Sequence, residues 1–196
     1  VGGFFAETVK TPQGQQMIIS GEGMAAMLTK GAPSLPMYPI SMIIGDQAEM
    51  EVSVIKSNYT DFENIEVAPS KGNISRKINP NDVEYVYGEM YQQDAFYPAS
   101  QASLDAPYIL RDFRGQNIMV SPYAYNPVTK TLRVYTDLRI SAKKVSDNGE
   151  NQKTVRRNNT ITVDQEMKAA YERRFINFNT TASKYDFLVD EGEMLI

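Results

Sequence analysis

The sequence predicts an all-β chain: a β-sandwich of mostly antiparallel strands with one C-terminal α-helix. Three observations carry this. Residues 132–142 (LRVYTDLRISA) alternate, with Leu132, Val134, Thr136, Leu138 and Ile140 on one face and Arg133, Tyr135, Asp137 and Arg139 on the other. That period of two marks a half-buried strand. Short apolar runs recur through the rest of the chain with Gly, Pro, Asn or Asp between them, the rhythm of a sandwich rather than of alternating strands and long helices. Helical spacing of apolar residues sets in convincingly near residue 164 and nowhere earlier.

In chain order, the expected strands begin with GFFAETV, QQMIISG, GMAAMLT, SMIIG and EMEVSVIKSNY. A long excursion follows, from Ala68 to Gly88 (APSKGNISRKINPNDVEYVYG), in which Pro69, Gly72 and Pro80 punctuate small polar and basic residues. Gly and Pro at that density predict an extended surface loop, not a regular element. NIMVSPYAY (Asn117 to Tyr125) reads as one strand, and NPVTKT (Asn126 to Thr131) as the turn joining it to the strand at 132 in a hairpin. Residues 146–159 (SDNGENQKTVRRNN) are polar and read as a flexible loop. The helix is expected over about 164–177, with Met167, Ala170, Tyr171, Phe175 and Phe178 on its apolar side and Thr162 with Gln165 as a capping box. NTTASKYD (Asn179 to Asp186) reads as a linker.

Composition sets limits. The 196 residues suit one domain or at most two, and 42% hydrophobic with 22% charged residues is ordinary for a globular chain. The net charge of −4 argues against general nucleic-acid binding. No apolar run approaches the roughly 18 residues of a membrane-spanning helix. The abrupt start at Val1 reads as a trimmed start, so a missing leader carries no information about targeting. The chain has no cysteine and no histidine. It therefore cannot carry a thiol nucleophile, a histidine base, a Cys/His zinc site or a disulfide. It also lacks the usual side chain that titrates near neutral pH. No phosphate-binding Gly-rich loop and no EF-hand spacing is present, and Asp61, Glu63 and Glu66 are too loosely spaced to argue for a carboxylate pair or a metal. No cofactor, no metal and no catalytic residue is expected within the chain.

Among the remaining features, Tyr85, Tyr87, Tyr91, Phe96 and Tyr97 read first as strand packing and second as part of an interface. Asp105, Arg111, Asp112 and Arg114 read as a surface ion-pair group. Asn58, Asn73, Asn159 and Asn179 begin glycosylation sequons without further support. Arg173 and Arg174 fit the solvated face of the helix. Taken alone, Arg76 reads as a solvated loop arginine.

Three segments change that weighting. APSKGNISRKINPNDVEYVYG, PYILRDFRGQ (Pro107 to Gln116) and YNPVTKTLRVYT (Tyr125 to Thr136) occur in an order that resembles the N-terminal propeptide of the gingipains, secreted cysteine peptidases of Bacteroidota. The likeness runs from about Gly3 to the end of the chain and is greatest to the arginine-specific gingipains. It implies a propeptide that is not an enzyme, that assists folding of its peptidase, and that blocks the active-site cleft until proteolysis removes it. The basic residue of the family's Ser-Arg pair falls on Arg76, which the resemblance places in the S1 pocket, with Pro69, Ser70, Gly72, Asn73, Ile74 and Ser75 forming the approach. Lys71 and Lys77 are the alternates should the peptidase prefer lysine. The resemblance also divides the chain into a propeptide domain over 1–184 and the opening of the catalytic domain over 185–196, with processing between Lys184 and Tyr185. Lys184 and Arg76 point to different specificities, and the sequence leaves both open. Arg156 and Arg157, in a mobile polar stretch, are the expected secondary cut. The implied partner is the peptidase of the same precursor, whose Cys and His lie beyond Ile196. The implied route is export through the type IX system, with folding in the periplasm and arrival at the cell surface or outside. Partners without support are nucleic acid and a membrane span. The rival reading is a stand-alone β-sandwich adhesion or carbohydrate-binding module, against which stands the absence of tryptophan.

Overall fold

Strand-forming sequence dominates the computed structural model, which describes residues 4–154, 163 and 165–179. Strands β1 (Phe4–Thr11) and β2 (Gly14–Gly21) form an antiparallel hairpin, in register from Phe4 opposite Gly21 to Thr11 opposite Gly14. The short β3 (Ala25–Ala26) pairs antiparallel with β4 (Pro36–Ile44). Then come β5 (Glu49–Phe62), β6 (Ala102–Leu104), β7 (Tyr108–Leu110), β8 (Phe113–Val120), β9 (Tyr123–Asn126) and β10 (Thr131–Ser146). The helix, α1, spans Gln165–Arg174. The strand order is β5-β10-β9 in a three-stranded sheet and β3-β4-β8-β6 in the largest sheet, with β7 added antiparallel to β8. The all-β class with one C-terminal helix is as expected.

Three local differences have physical causes. GMAAMLT is extended only at Ala25–Ala26, because the chain then turns: the Ala32 N–H donates to Thr29 O at 3.1 Å, and Gly31 supplies φ 80°. The run 117–125 is two strands, not one, divided at Ser121 and Pro122, where proline has no N–H to give a ladder. The Pro122 carbonyl instead accepts from Tyr135 N–H at 2.9 Å. Residues 146–154 are not loose. Gly149 N–H donates to Gln47 O and Lys153 N–H to Asp46 O, both at 3.0 Å.

The described chain forms two compact units, each with its own core. The first comprises Val1–Pro39, Ser53–Ser103 and Met119–Ser141. Its core joins Ile19 of β2 to Leu35, Val67, Tyr123, Tyr125 and Leu132. Here the expected alternation of β10 holds in part. Leu132 is buried, but so is Tyr135 on the other face, where it meets Tyr59 edge-on at 5.8 Å. On the same strand Arg133 lies over the rings of Tyr59 and Phe96 and makes two hydrogen bonds to Asp61, at 2.8 and 2.9 Å. Those hydrogen bonds are the largest effect on the Asp61 carboxyl; burial opposes them, the attraction of the guanidinium adds to them, and the carboxyl is held below the ordinary carboxylate value.

The sign follows from linkage. A depressed folded value adds stability above the unfolded value of about 3.9 and loses it as pH falls through the folded one. Thermal stability is therefore expected to be flat between pH 6 and 8 and to fall below about pH 4, where the carboxylates titrate. Asp61→Asn should remove part of that acid limb. A melting temperature that drops between pH 8 and 6 would contradict this.

The second unit draws on Ile40–Val52, Leu104–Ile118 and the described part of Ala142–Ile196. Its core is aromatic. Phe113 meets Tyr171 edge-on at 4.9 Å, Phe178 at 5.8 Å and Phe175 at 6.2 Å. Pairs of this kind contribute about 0.5–1.5 kcal/mol each beyond area. A ten-residue helix is marginal by itself, so this cluster is what holds α1. Asn177 adds a two-way clasp: its Nδ2 donates to Ile43 O at 2.9 Å and its Oδ1 accepts from Ile43 N–H at 2.8 Å. Thr162 of the expected capping box lies outside the described residues.

Arg114 overturns the surface ion-pair expectation. It is fully buried and pairs with no carboxylate among the described residues. Its Nε donates to Asn151 O at 3.0 Å, Nη1 to Gly45 O at 2.8 Å and Ala48 O at 2.7 Å, and Nη2 to Glu150 O at 2.5 Å. Burial lowers its proton affinity from the ordinary arginine value, and Asp46 opposes that. Of the rest of the group, Arg111 lies 3.8 Å from Asp112, whose carboxylate accepts from the Tyr171 hydroxyl at 2.7 Å, and Asp105 is exposed.

Candidate functional site: the 68–88 loop

The excursion between β5 and β6 belongs to the first unit and starts from a fixed base. Met17 N–H donates to Glu66 O at 2.7 Å and Ala68 N–H to Met17 O at 2.8 Å, continuing β2 onto the loop's first residues. Ser34 N–H donates to Ala68 O at 2.9 Å, Ser70 N–H to Ala32 O at 2.7 Å, and Gly31 N–H to Ser70 O at 2.9 Å. Val67, Ala68, Pro69 and Ser70 are buried in consequence. Ser70 adds a side-chain lock, its Oγ donating to Met27 O at 3.1 Å and accepting from Gly72 N–H at 3.2 Å.

The returning end closes on the same point. Gly88 N–H donates to Gly31 O at 2.9 Å. A Cβ on Gly31 would sit 3.0 Å from Gly88 N, so glycine is what allows the two backbones to meet. Gly72 is constrained twice, by φ 80° and by 2.9 Å from an added Cβ to the Lys30 Cβ. Gly72→Ala is expected to cost about 1–3 kcal/mol. Urea denaturation checks this, and an unchanged midpoint would contradict it.

Beyond Gly72 the loop is braced internally. Lys71 Nζ donates to Pro80 O at 2.7 Å and lies 4.2 Å from the centre of the Tyr85 ring. Asn79 caps a 3-10 turn at Pro80–Asp82, its Oδ1 accepting from Asn81 N–H at 3.1 Å. At the tip, Ile78 N–H donates to Ser75 O at 2.9 Å, so Ser75 to Ile78 form a β-turn with Arg76 and Lys77 as its central residues. Both are exposed. Ile78 beside them is 50% exposed, an apolar side chain offered to solvent at the same tip.

The three basic candidates are thus in different states. Lys71 is committed within the loop, whereas Arg76 and Lys77 project from a turn. Pro69 lies in the buried base, and Asn73, Ile74 and Ser75 link it to the tip. The aromatic cluster is mostly packing: Tyr91 donates to Val67 O at 2.9 Å, Tyr87 meets Tyr91 edge-on at 4.9 Å and donates to Thr11 Oγ1 at 2.9 Å, and Tyr97 N–H donates to Tyr125 O at 2.9 Å. Arg173 and Arg174 are exposed, with Arg174 Nε donating to the Tyr108 hydroxyl at 3.3 Å. Arg156, Arg157, Lys184 and Tyr185 lie outside the described residues. Sequence reasoning missed the Gly31–Gly88 closure and the Lys71 brace. The only local signal for the former was an isolated glycine at each end.

No group of three or more acidic residues is placed to hold a metal ion among the described residues. No described helix is long and apolar enough to cross a membrane. The described residues thus form an all-β scaffold carrying a braced loop with a basic, exposed tip. The family model Propeptide_C25 matches residues 4–182, and the chain belongs to that family. It is 38% identical over 170 residues to gingipain R1 of Porphyromonas gingivalis, covering 87% of this chain and 17% of that protein. It is 36% identical over 167 residues to gingipain R2 of the same organism, covering 85% and 22%. The chain therefore spans about a fifth of these curated relatives. A solved complex of P. gingivalis RgpB pro- and mature domains matches with a TM-score of 0.80 and 33% identity over 90% of this chain and 87% of that one. A structure addressing zymogenic latency of gingipain K from the same organism matches with a TM-score of 0.60 and 18% identity over 71% and 80%, a likeness of fold alone.

Proposed function

We propose that this chain is the propeptide of a gingipain-like cysteine endopeptidase. It assists the enzyme's folding and keeps it latent by seating the 68–88 loop in the active-site cleft, until proteolysis removes it. The observation that carries this is the loop itself, closed at its base by the Gly31–Gly88 pair and presenting Arg76 on a turn in a member of the Propeptide_C25 family. A braced loop loses less conformational entropy on binding than a free one, so more of its contact energy appears as affinity.

In this reading Arg76 enters the S1 pocket, where a planar guanidinium can meet a carboxylate through two parallel hydrogen bonds. Lys77 is the next candidate. Lys71 is a poorer one, because reaching outward would break its contacts with Pro80 and Tyr85. The bond after Arg76 survives if the loop's path holds its carbonyl away from the near-attack distance of about 3–3.5 Å. Pro69 in the fixed base, Gly72 at its left-handed turn and Pro80 at the start of the 3-10 turn shape that path. Processing falls between Lys184 and Tyr185, with Arg156 and Arg157 as a secondary cut. The precursor is exported by the type IX route, folds in the periplasm and ends at the cell surface or beyond.

The test is kinetic. The 196-residue chain, added to the separately prepared catalytic domain of its own precursor, should raise the apparent KM for a basic substrate without lowering kcat. Turnover unaffected at large molar excess would defeat the latency role and leave only assistance in folding.

A further inference from the structure

The tip of the loop is tied back on itself at Ser75. Ser75 O accepts from Ile78 N–H at 2.9 Å, and Ser75 Oγ accepts more weakly from Lys77 N–H at 3.4 Å. Neither Arg76 nor Lys77 has a positive φ, as in a type I turn, whose two central residues keep near-helical ψ. Below the turn, the bond from Lys71 Nζ to Pro80 O joins the two legs of the loop, so the chain has to reverse between them. Exposed loop tips with small and polar residues are where proteolysis concentrates. A tip that carries a basic residue into the cleft of an enzyme that cuts after such residues therefore needs a feature that keeps it whole.

Resting on the latency proposed above, we infer that Ser75 is a positioning residue. It folds the tip into a turn that offers the basic side chain to the cleft and withholds the main chain from hydrolysis. A peptide bound in extended form offers its N–H and C=O groups to the receptor as an added strand. Here the Ile78 N–H and the Ser75 carbonyl are bonded to each other. Extended backbone also needs ψ near about +130°, which the central residues of a type I turn do not have. The same bonds bear on the leaving group. Hydrolysis breaks the C–N bond after the basic residue; the departing nitrogen takes a proton from the enzyme, and water completes the new carboxylate. For a peptidase that reads Arg76, that nitrogen is Lys77 N; for one that reads Lys77, it is Ile78 N. Both are hydrogen-bonded back to Ser75, one to its hydroxyl and one to its carbonyl. The turn therefore protects the tip under either specificity.

The experiment incubates the 196-residue chain with the active catalytic domain of its precursor, and follows residual activity together with the fragments formed, by mass spectrometry. Three variants are compared with the parent chain. Ile78→Pro removes the N–H donor and drives Lys77 toward extended ψ. Ser75→Ala removes only the hydroxyl. Ile78→Ala keeps both bonds and controls for the lost apolar side chain. All should melt with the parent, since these positions are exposed, and all should inhibit at first contact. Ile78→Pro is expected to lose inhibition about tenfold faster than the parent and Ser75→Ala about threefold faster, the range one net hydrogen bond supplies, with a new cut after Arg76 or Lys77. Ile78→Ala should last as long as the parent. Initial inhibition reports the latency reading, and its decay reports the role of Ser75. Equal durability of the parent, Ser75→Ala and Ile78→Pro would overturn the inference while latency stands, as would decay accompanied only by cuts outside the tip. No inhibition at first contact by any of these chains would defeat latency, and this inference with it.

Discussion

Replacing Arg114 by alanine is expected to destabilise the chain by about 3 kcal/mol, from the loss of hydrogen bonds made by a charged donor and the cavity left in its place. The guanidinium serves four carbonyl groups, those of Gly45, Ala48, Glu150 and Asn151. Once it is gone, the buried Ala48 carbonyl loses this donor, the acceptors on the exposed Gly45, Glu150 and Asn151 lose the group that ties their segments together, and a cavity remains. Against a typical stability of about 5–15 kcal/mol this is a large fraction of the total. Lysine should rescue little, because a single ammonium with three donors cannot span four acceptors arranged for a planar fork. The loss should be visible locally too: the amides of Gly149 and Lys153, bonded to Gln47 and Asp46, should exchange with solvent much faster than in the parent chain. Denaturant unfolding with site-resolved hydrogen exchange measures both. A change below about 1 kcal/mol, the centre of ordinary point mutations, would mean that the network is dispensable.

The second large effect concerns Arg76. As the exposed residue leading the tip turn, it makes no described interaction whose loss would unfold the chain. Arg76→Ala is therefore expected to leave melting unchanged and to weaken inhibition of the cognate peptidase. Truncating an interface anchor costs about 2 kcal/mol or more, roughly thirtyfold in the inhibition constant. Arg76→Lys distinguishes the parent's preference. Against an arginine-selective pocket it should recover little, because the bidentate fit is lost, and against a lysine-selective one it should match or exceed the parent. The double variant Arg76→Ala with Lys77→Ala tests whether the neighbouring lysine substitutes for it. Full inhibition by all of these would move the anchor off the two basic residues, with Ile78 at the same tip the next group in line.

Much of this was legible in order along the chain. The alternation at 132–142 and the turn residues at 126–131 mark the β9–β10 hairpin because both are local signals. The helical spacing from Met167 to Phe178 does the same for α1. The break at Ser121 and Pro122 was equally local, and Pro122 in an apolar run was sufficient reason to expect it. Arg114 was not legible. A charged residue within RDFRGQ reads as surface, since arginine is rarely buried without a partner. Its actual partners are main-chain carbonyls contributed by two distant segments, which no pattern of side chains reveals. The ordering of 146–154 was hidden for the same reason, because its polar composition reports solvent exposure and not the bonds its backbone receives. At the loop, Gly and Pro announced an excursion and the basic residues announced its chemistry. The separation of Lys71 from Arg76 depends on Pro80 and Tyr85 folding back across the loop, a tertiary event.

The central claim, that the loop tip occupies the peptidase's substrate cleft, is tested most directly by blocking that cleft first. Binding of the 196-residue chain should be measured to the catalytic domain of its precursor before and after the enzyme reacts with an arginyl or lysyl active-site-directed covalent inhibitor. Occupation of the S1 pocket should weaken binding about thirtyfold or more, matching the loss from Arg76→Ala, and the two effects should not add. Equal affinity for free and blocked enzyme would place the domain elsewhere on its partner and contradict the account.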